Sequence, residues 1–201
     1  MDVIVEEGPG FTIARTNKAS TAVPYGPADR ASGDINHGWM DLRGHPERVD
    51  EVPEAAKSAG LARLLRAIAD PVSKVMSSAC ECAAFERSPD DNEGPAWQVG
   101  GFVITMFLDG DRNTDPRELI QLAYYLLQGV APTDAHHIGF EMVVEPLRHF
   151  FGRTDCFALA IKPLGFGSSE NEAWLSFEYA CDALAAAITR DRPRIDAEGC
   201  S

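Results

Sequence analysis

The stretch Leu108 to Leu119 reads LDGDRNTDPREL, and Asp109, Asp111, Asn113 and Asp115 place an oxygen-bearing side chain at every second position. Hard divalent cations take such oxygens, and aspartates just after an apolar strand can hold magnesium for phosphate chemistry. An EF-hand loop further requires glycine at its sixth position and a bidentate glutamate at its twelfth. Thr114 and Ile120 stand there, so a calcium loop of that kind is excluded. The same residues also spell a helix start. Asp115 is the cap, Pro116 fits the first helical position, and Glu118 is the acid of a capping box. Gly110 and Asn113 are turn formers. This second reading gives every residue a role and is the one expected. The alternative is a metal set made of Asp109 and Asp111 with His136 or His137.

That alternative draws on a short resemblance. Asp109-Gly110-Asp111 follows the apolar run Val103 to Leu108, and this DxD resembles the nucleophile loop of haloacid-dehalogenase-like phosphatases. The resemblance implies a magnesium-dependent phosphoryl-transfer or hydrolase site on a doubly wound parallel sheet. It is confined to these few residues. The family's later acidic pair has no counterpart downstream, because the adjacent aspartates Asp90 and Asp91 lie upstream.

Other chemistry-bearing residues give less. His136 and His137 precede a strand that contains Glu141 and Glu145, and neighbours on a strand face opposite sides, so the pair does not converge on one ion unless the backbone turns. No HExxH spacing is present. Gly165-Phe166-Gly167-Ser168-Ser169 reads as a glycine-containing loop before a helix. It is neither GxxxxGK[ST] nor GxGxxG, and Glu170 and Glu172 in the first helical turn oppose a phosphate. Cys80, Cys82, Cys156, Cys181 and Cys200 form an odd set with no CxxC pair, so reduced, buried thiols are expected and not a zinc ribbon or a disulfide framework. No cofactor is implied.

The elements that must position these residues follow from apolar spacing. Val3 and Val5, a Gly8-Pro9-Gly10 turn, then Phe11 and Ile13 read as a hairpin. From Thr16 to Pro53 there is little periodicity, and so long an irregular segment is either functional or wraps the surface, with Trp39 and Met40 as its anchors. Leu61, Leu64, Leu65 and Ile68 set a helical face that Val72, Val75, Met76 and Ala79 continue across Asp70-Pro71, so helices are expected over 54–69 and 71–86. Trp97 to Leu108 is a central strand, with Gly100-Gly101 marking a bulge or a close backbone approach. A helix over 116–128, strands over 138–144 and 157–161, and a last helix capped by Ser169 complete the pattern. Strands and helices without strict alternation indicate an α+β fold: a mostly antiparallel sheet with helices packed on one face and an irregular N-terminal region. A ferredoxin-like sheet completed by an N-terminal strand is one such arrangement. One globular domain over 1–201 is expected, with an irregular segment over 1–53, a core over 54–192 and a loose tail over 193–201.

Composition narrows the function. The 201 residues are 45% hydrophobic, enough to build a core, which excludes global disorder. No apolar run reaches the ~18 residues of a membrane-spanning helix. The N-terminus MDVIVEEGPG carries acids where an export signal carries bases, so a cytoplasmic address is expected. The formal charge of −13 opposes direct contact with nucleic acid or an anionic membrane; it permits a basic protein as partner, while solubility is its plainer reading. The expected function is therefore non-enzymatic protein–protein binding, as an inhibitor, immunity-type or accessory factor. The solvated loop acids Asp90, Asp91 and Glu93 are the expected contacts. A divalent-metal-dependent hydrolase or phosphoryl-transfer enzyme is the alternative, and a structural component of an assembly a second one.

Overall fold

The computed structural model describes residues 3–19, 22–29, 35–87, 94–130 and 137–190. Six strands form one sheet: β1 (Val3–Gly8), β2 (Phe11–Arg15), β3 (Val75–Glu86), β4 (Trp97–Phe107), β5 (His137–Pro146) and β6 (Phe157–Gly167). Their order across the sheet is β1-β2-β5-β6-β4-β3. Every neighbouring pair is antiparallel except β2 with β5. Helices α1 (Ala59–Ala69), α2 (Pro116–Gln128) and α3 (Glu170–Arg190) bury their apolar stripes against one face. The fold is α+β, with an irregular N-terminal region. No helix among the described residues is long and apolar enough to cross a membrane.

Two hairpin-plus-helix units, β3-β4-α2 and β5-β6-α3, build the centre, with β4 and β6 side by side. This replaces the split strand–helix–strand units of a ferredoxin-like sheet. The N-terminal hairpin does extend the sheet, through β2 alongside β5.

The helix expected over 71–86 is not formed. The residue before a proline is pushed out of the helical region, and Asp70 sits at φ −53°, ψ 136°. Its carboxylate accepts from Val72 N at 3.0 Å and closes a turn. The segment from Val75 then runs as edge strand β3. A bulge between Ser77 and Ala79 inserts one extra residue, and that slip turns a strand's alternation into apolar spacing that imitates a helix. The bulge therefore lies in β3 and not at Gly100-Gly101. Gly101 instead serves the close approach: a Cβ there would stand 2.9 Å from the Phe177 ring. Gly165 and Gly167, expected in a loop, end strand β6 for the same reason. A Cβ on Gly165 would meet Phe177 N at 2.2 Å, and one on Gly167 would meet Ala173 N at 2.4 Å. Glycine lets the backbone of α3 lie directly on β6.

Helix α1 is tied to α3. Ser58 caps α1, its Oγ accepting from Leu61 N at 3.0 Å and donating to Glu178 of α3 at 2.7 Å. Glu178 also accepts from Gly60 N, so a carboxylate of one helix answers the unpaired amides and partial positive charge of another's N-terminus.

The other face of the sheet is covered differently. The described residues between 22 and 41 cross it in short pieces, with Ala22–Val23 paired in parallel with His149–Phe150; the short 3-10 helices Pro46–Glu51 and Pro53–Lys57 lie instead against α1, with Val49, Val52 and Ala55 in the larger core. Together with the 147–156 connection this wrap buries Met76, Ile104, Met106, Ala158 and Ala160 in a second, smaller core. Trp39 packs on that core and Met40 on the larger one, as the anchors expected of them.

Candidate functional site

The aspartate stretch connects β4 to α2, and nearly every polar group in it is engaged. Asp115 Oδ1 accepts from Arg117 N at 3.0 Å and caps α2, with Pro116 opening the helix. Arg117 holds the Asp115 carboxyl below its usual range. Glu118 does not reach back as a capping-box acid; it takes Arg112 at 2.7 Å, while Arg112 lies over the Phe107 ring. Asn113 is fully buried, and its amide exchanges two hydrogen bonds of 2.9 Å with the backbone of Phe107, standing in for a missing strand at the sheet end. Asp109 accepts from Asp111 N at 3.0 Å, and Asp111 pairs with Arg153 at 2.6 Å with its side chain 87% exposed.

The histidine does not join them. His137 lies opposite Phe166, which lies opposite Gln98 near the start of β4. Asp109 follows Phe107, at the other end of that strand. The strand's length, roughly 30 Å at about 3.3 Å per residue, separates the two, so Asp109, Asp111 and His137 do not converge. His136 lies outside the described residues, as do Asp90, Asp91 and Glu93. Among the described residues no three His, Cys, Asp or Glu side chains group to hold a metal ion. The antiparallel sheet also departs from the parallel one that the phosphatase resemblance implies.

Cys80, Cys82, Cys156 and Cys181 are free thiols; Cys200 lies outside the described residues. Strand spacing puts Cys80 and Cys82 on one face, against the helix-side core, where a helix would have separated them. Burial pushes Cys82 up to about 11 and raises Cys80, Cys156 and Cys181 as well. Thiolates, the nucleophilic form, are thereby disfavoured. At the start of α3, Ser169 Oγ accepts from Glu172 N at 3.3 Å, and the Glu172 carboxylate accepts from Ser168 N at 2.9 Å. The anion place at this helix end is taken by the chain's own carboxylate, which Ser168 holds below the ordinary range.

The second sheet face offers what the loops do not. Its half beneath the wrap is closed, but no described residues cover the half toward the β3–β4 connection. There the register sets Phe85, Gln98, Phe166 and His137 in one cross-strand row. Ala83, Gly100, Leu164 and Gly139 form the next. Phe85 is 55% exposed, and Leu164 and Phe166 are half-buried. Glu81 and the Glu141–Lys162 ion pair stand in the following row, toward the wrap. The connection from Arg87 to Gly94 carries Asp90, Asp91 and Glu93 in its sequence and starts two residues beyond Phe85. Sequence reading missed this strip because it took 71–86 as helical, which scatters Ala83 and Phe85 around a cylinder. Strand alternation over 81–86, aligned with Gln98 to Phe102, is the signal that finds it.

Fold and surface together define an α+β protein with a helix-covered face and a second face that is half open. No family model matches the chain, and no curated protein or solved structure matches it.

Proposed function

We propose that this chain acts by binding a basic protein, as an inhibitor, immunity-type or accessory factor, with the uncovered half of the second sheet face as its contact surface. The observation that carries the reading is the exposed Phe85 ring in one row with the half-buried Phe166 and beside Leu164, on a part of the second face that no described element covers. Apolar patches of this kind mark interaction sites, and aromatic anchors dominate their energetics. The acidic connection that follows Phe85 in the sequence carries the complementary charge, in a chain of net charge −13. Opposite fields raise the encounter rate and act less on dissociation.

The test begins with affinity capture on the full chain from the cells that make it, followed by kinetics with the captured protein. Phe85→Ser should weaken binding about tenfold or more, the loss of an interface anchor. Neutralising Asp90 and Asp91 to Asn and Glu93 to Gln should slow association. The on-rate of the unaltered chain should fall as salt rises toward 0.15 M, where screening acts beyond about 8 Å. A partner held equally well by the Phe85→Ser chain would rule out this surface. An on-rate indifferent to salt would leave the negative charge to solubility alone.

A further inference from the structure

The wrap and edge strand β3 border a cavity of about 490 Å³, within the ~300–1,000 Å³ typical of small-molecule sites. Its wall is assembled from distant parts of the chain: Tyr25, Trp39 and Met40 from the wrap, Leu65 from α1, Ser78 from β3 and Phe102 from β4. Two polar atoms of these residues, Trp39 Nε1 and Ser78 Oγ, are withdrawn from solvent and have no hydrogen-bond partner among the described residues. Ser78 is only 4% exposed. Buried polar groups are nearly always paired, so two unpaired ones in the wall of one cavity call for a partner.

The frame around the site is anchored. Ser78 is the extra residue of the β3 bulge, a device that re-aims a side chain out of the regular alternation. Its carbonyl is held by the Tyr25 hydroxyl at 3.1 Å. The Trp39 ring meets Phe151 edge-on at 5.5 Å between centroids, and Arg43 lies 5.8 Å over it. The charges at the rim are already engaged: Asp41 with Arg43 at 2.6 Å, and Arg48 with Glu51 at 3.4 Å. Glu54 also borders the cavity, and it raises the neighbouring Cys80 thiol further after burial has done so. A negatively charged guest is therefore disfavoured.

We infer that this cavity binds a small uncharged molecule, with an apolar body against Trp39, Met40 and Phe102 and an oxygen acceptor for the Trp39 indole N–H and the Ser78 hydroxyl. Both polar atoms are shielded from solvent, so binding entails a rotation about χ1 at Ser78 and a tilt of the Trp39 ring. The inference is independent of the protein-docking surface, which lies on the uncovered half of the sheet.

The probe is prodan, a neutral naphthyl ketone whose emission moves to the blue in apolar surroundings, titrated into the full chain. Saturable one-to-one binding is expected, with anilinonaphthalene sulfonate, its charged counterpart, bound far more weakly. Trp39→Phe keeps an aromatic side chain, though a smaller one, and removes the N–H, and should weaken prodan about tenfold, chiefly through the loss of one hydrogen bond. Ala79→Phe fills the cavity and should abolish binding while circular dichroism stays unchanged. Phe85→Ser should leave prodan binding as it was, even where it releases a protein partner. Unsaturable binding, equal affinity for the sulfonate, or prodan lost with Phe85→Ser would overturn the assignment. Should Ala79→Phe not fold, Trp39→Phe decides alone, and an unchanged affinity in that variant overturns it.

Discussion

The two faces of the sheet are built from the same strands yet closed by different means. On one, three helices lie over alternate residues of every strand but β1, and glycine at 101, 165 and 167 removes side chains where α3 must touch backbone. On the other, the chain crosses in short pieces held by two-residue pairings, aromatic edges and single hydrogen bonds, and it stops halfway. Regular packing leaves little space between layers, whereas irregular cover leaves gaps and unpaired polar atoms. The difference teaches where this molecule has room for a partner. The helix face supplies stability, and the second face supplies both the cavity and the open strip.

The sharpest way to test that contrast is to add one methyl group to each face. Gly165→Ala on the helix face places a Cβ within 2.2 Å of Phe177 N and 2.5 Å of Ala173 O, both backbone atoms that cannot turn aside. The helix must lift, and a loss of about 3 kcal/mol or more is expected in urea unfolding. Gly100→Ala on the second face meets its nearest atom, Leu164 Cδ2, at 3.5 Å, an ordinary contact. It should change stability by less than about 0.5 kcal/mol. Equal effects from the two substitutions would mean that the faces are packed alike.

A middle-sized effect belongs to the loop between the faces. Asp115→Ala removes the cap of α2, and a loss of about 1 kcal/mol is expected. Asp111→Ala, whose carboxylate is 87% exposed and paired only with a surface arginine, should cost much less. Denaturant midpoints for the two chains give the comparison. If Asp111→Ala proves the more damaging, the stretch is more than a helix start.

How much of this was legible depends on how local its causes are. The Asp115-Pro116 start, the Ser169 cap and the apolar strand at Trp97 rest on neighbours in sequence and are readable from residue types. The Asp70-Pro71 stop was also local, but the bulge at Ser78 disguised the strand after it. Asn113 could be read as a turn former, whereas its bonds to Phe107 appear only once the loop folds back. The cavity was beyond reach for a related reason. Tyr25, Trp39, Leu65 and Ser78 share no periodicity, and only the crossing of the wrap brings them together. The open strip depends on cross-strand register, which the sequence of one strand does not carry.

The smallest expected effect on the fold is also the one that separates stability from function. Phe85 sits near the free end of an edge strand, 55% exposed, and makes only part of its possible contacts. Phe85→Ser therefore forfeits little burial, and surface changes of this kind stay within about 0.5 kcal/mol. The thermal midpoint should hardly move. Were the ring a core residue, truncation would cost about 3–5 kcal/mol, so the measurement discriminates by a wide margin. A large drop in the midpoint would show that the strip is covered within the chain itself and is not offered to a partner. An unchanged midpoint together with loss of the captured protein would place the ring's contribution in the complex.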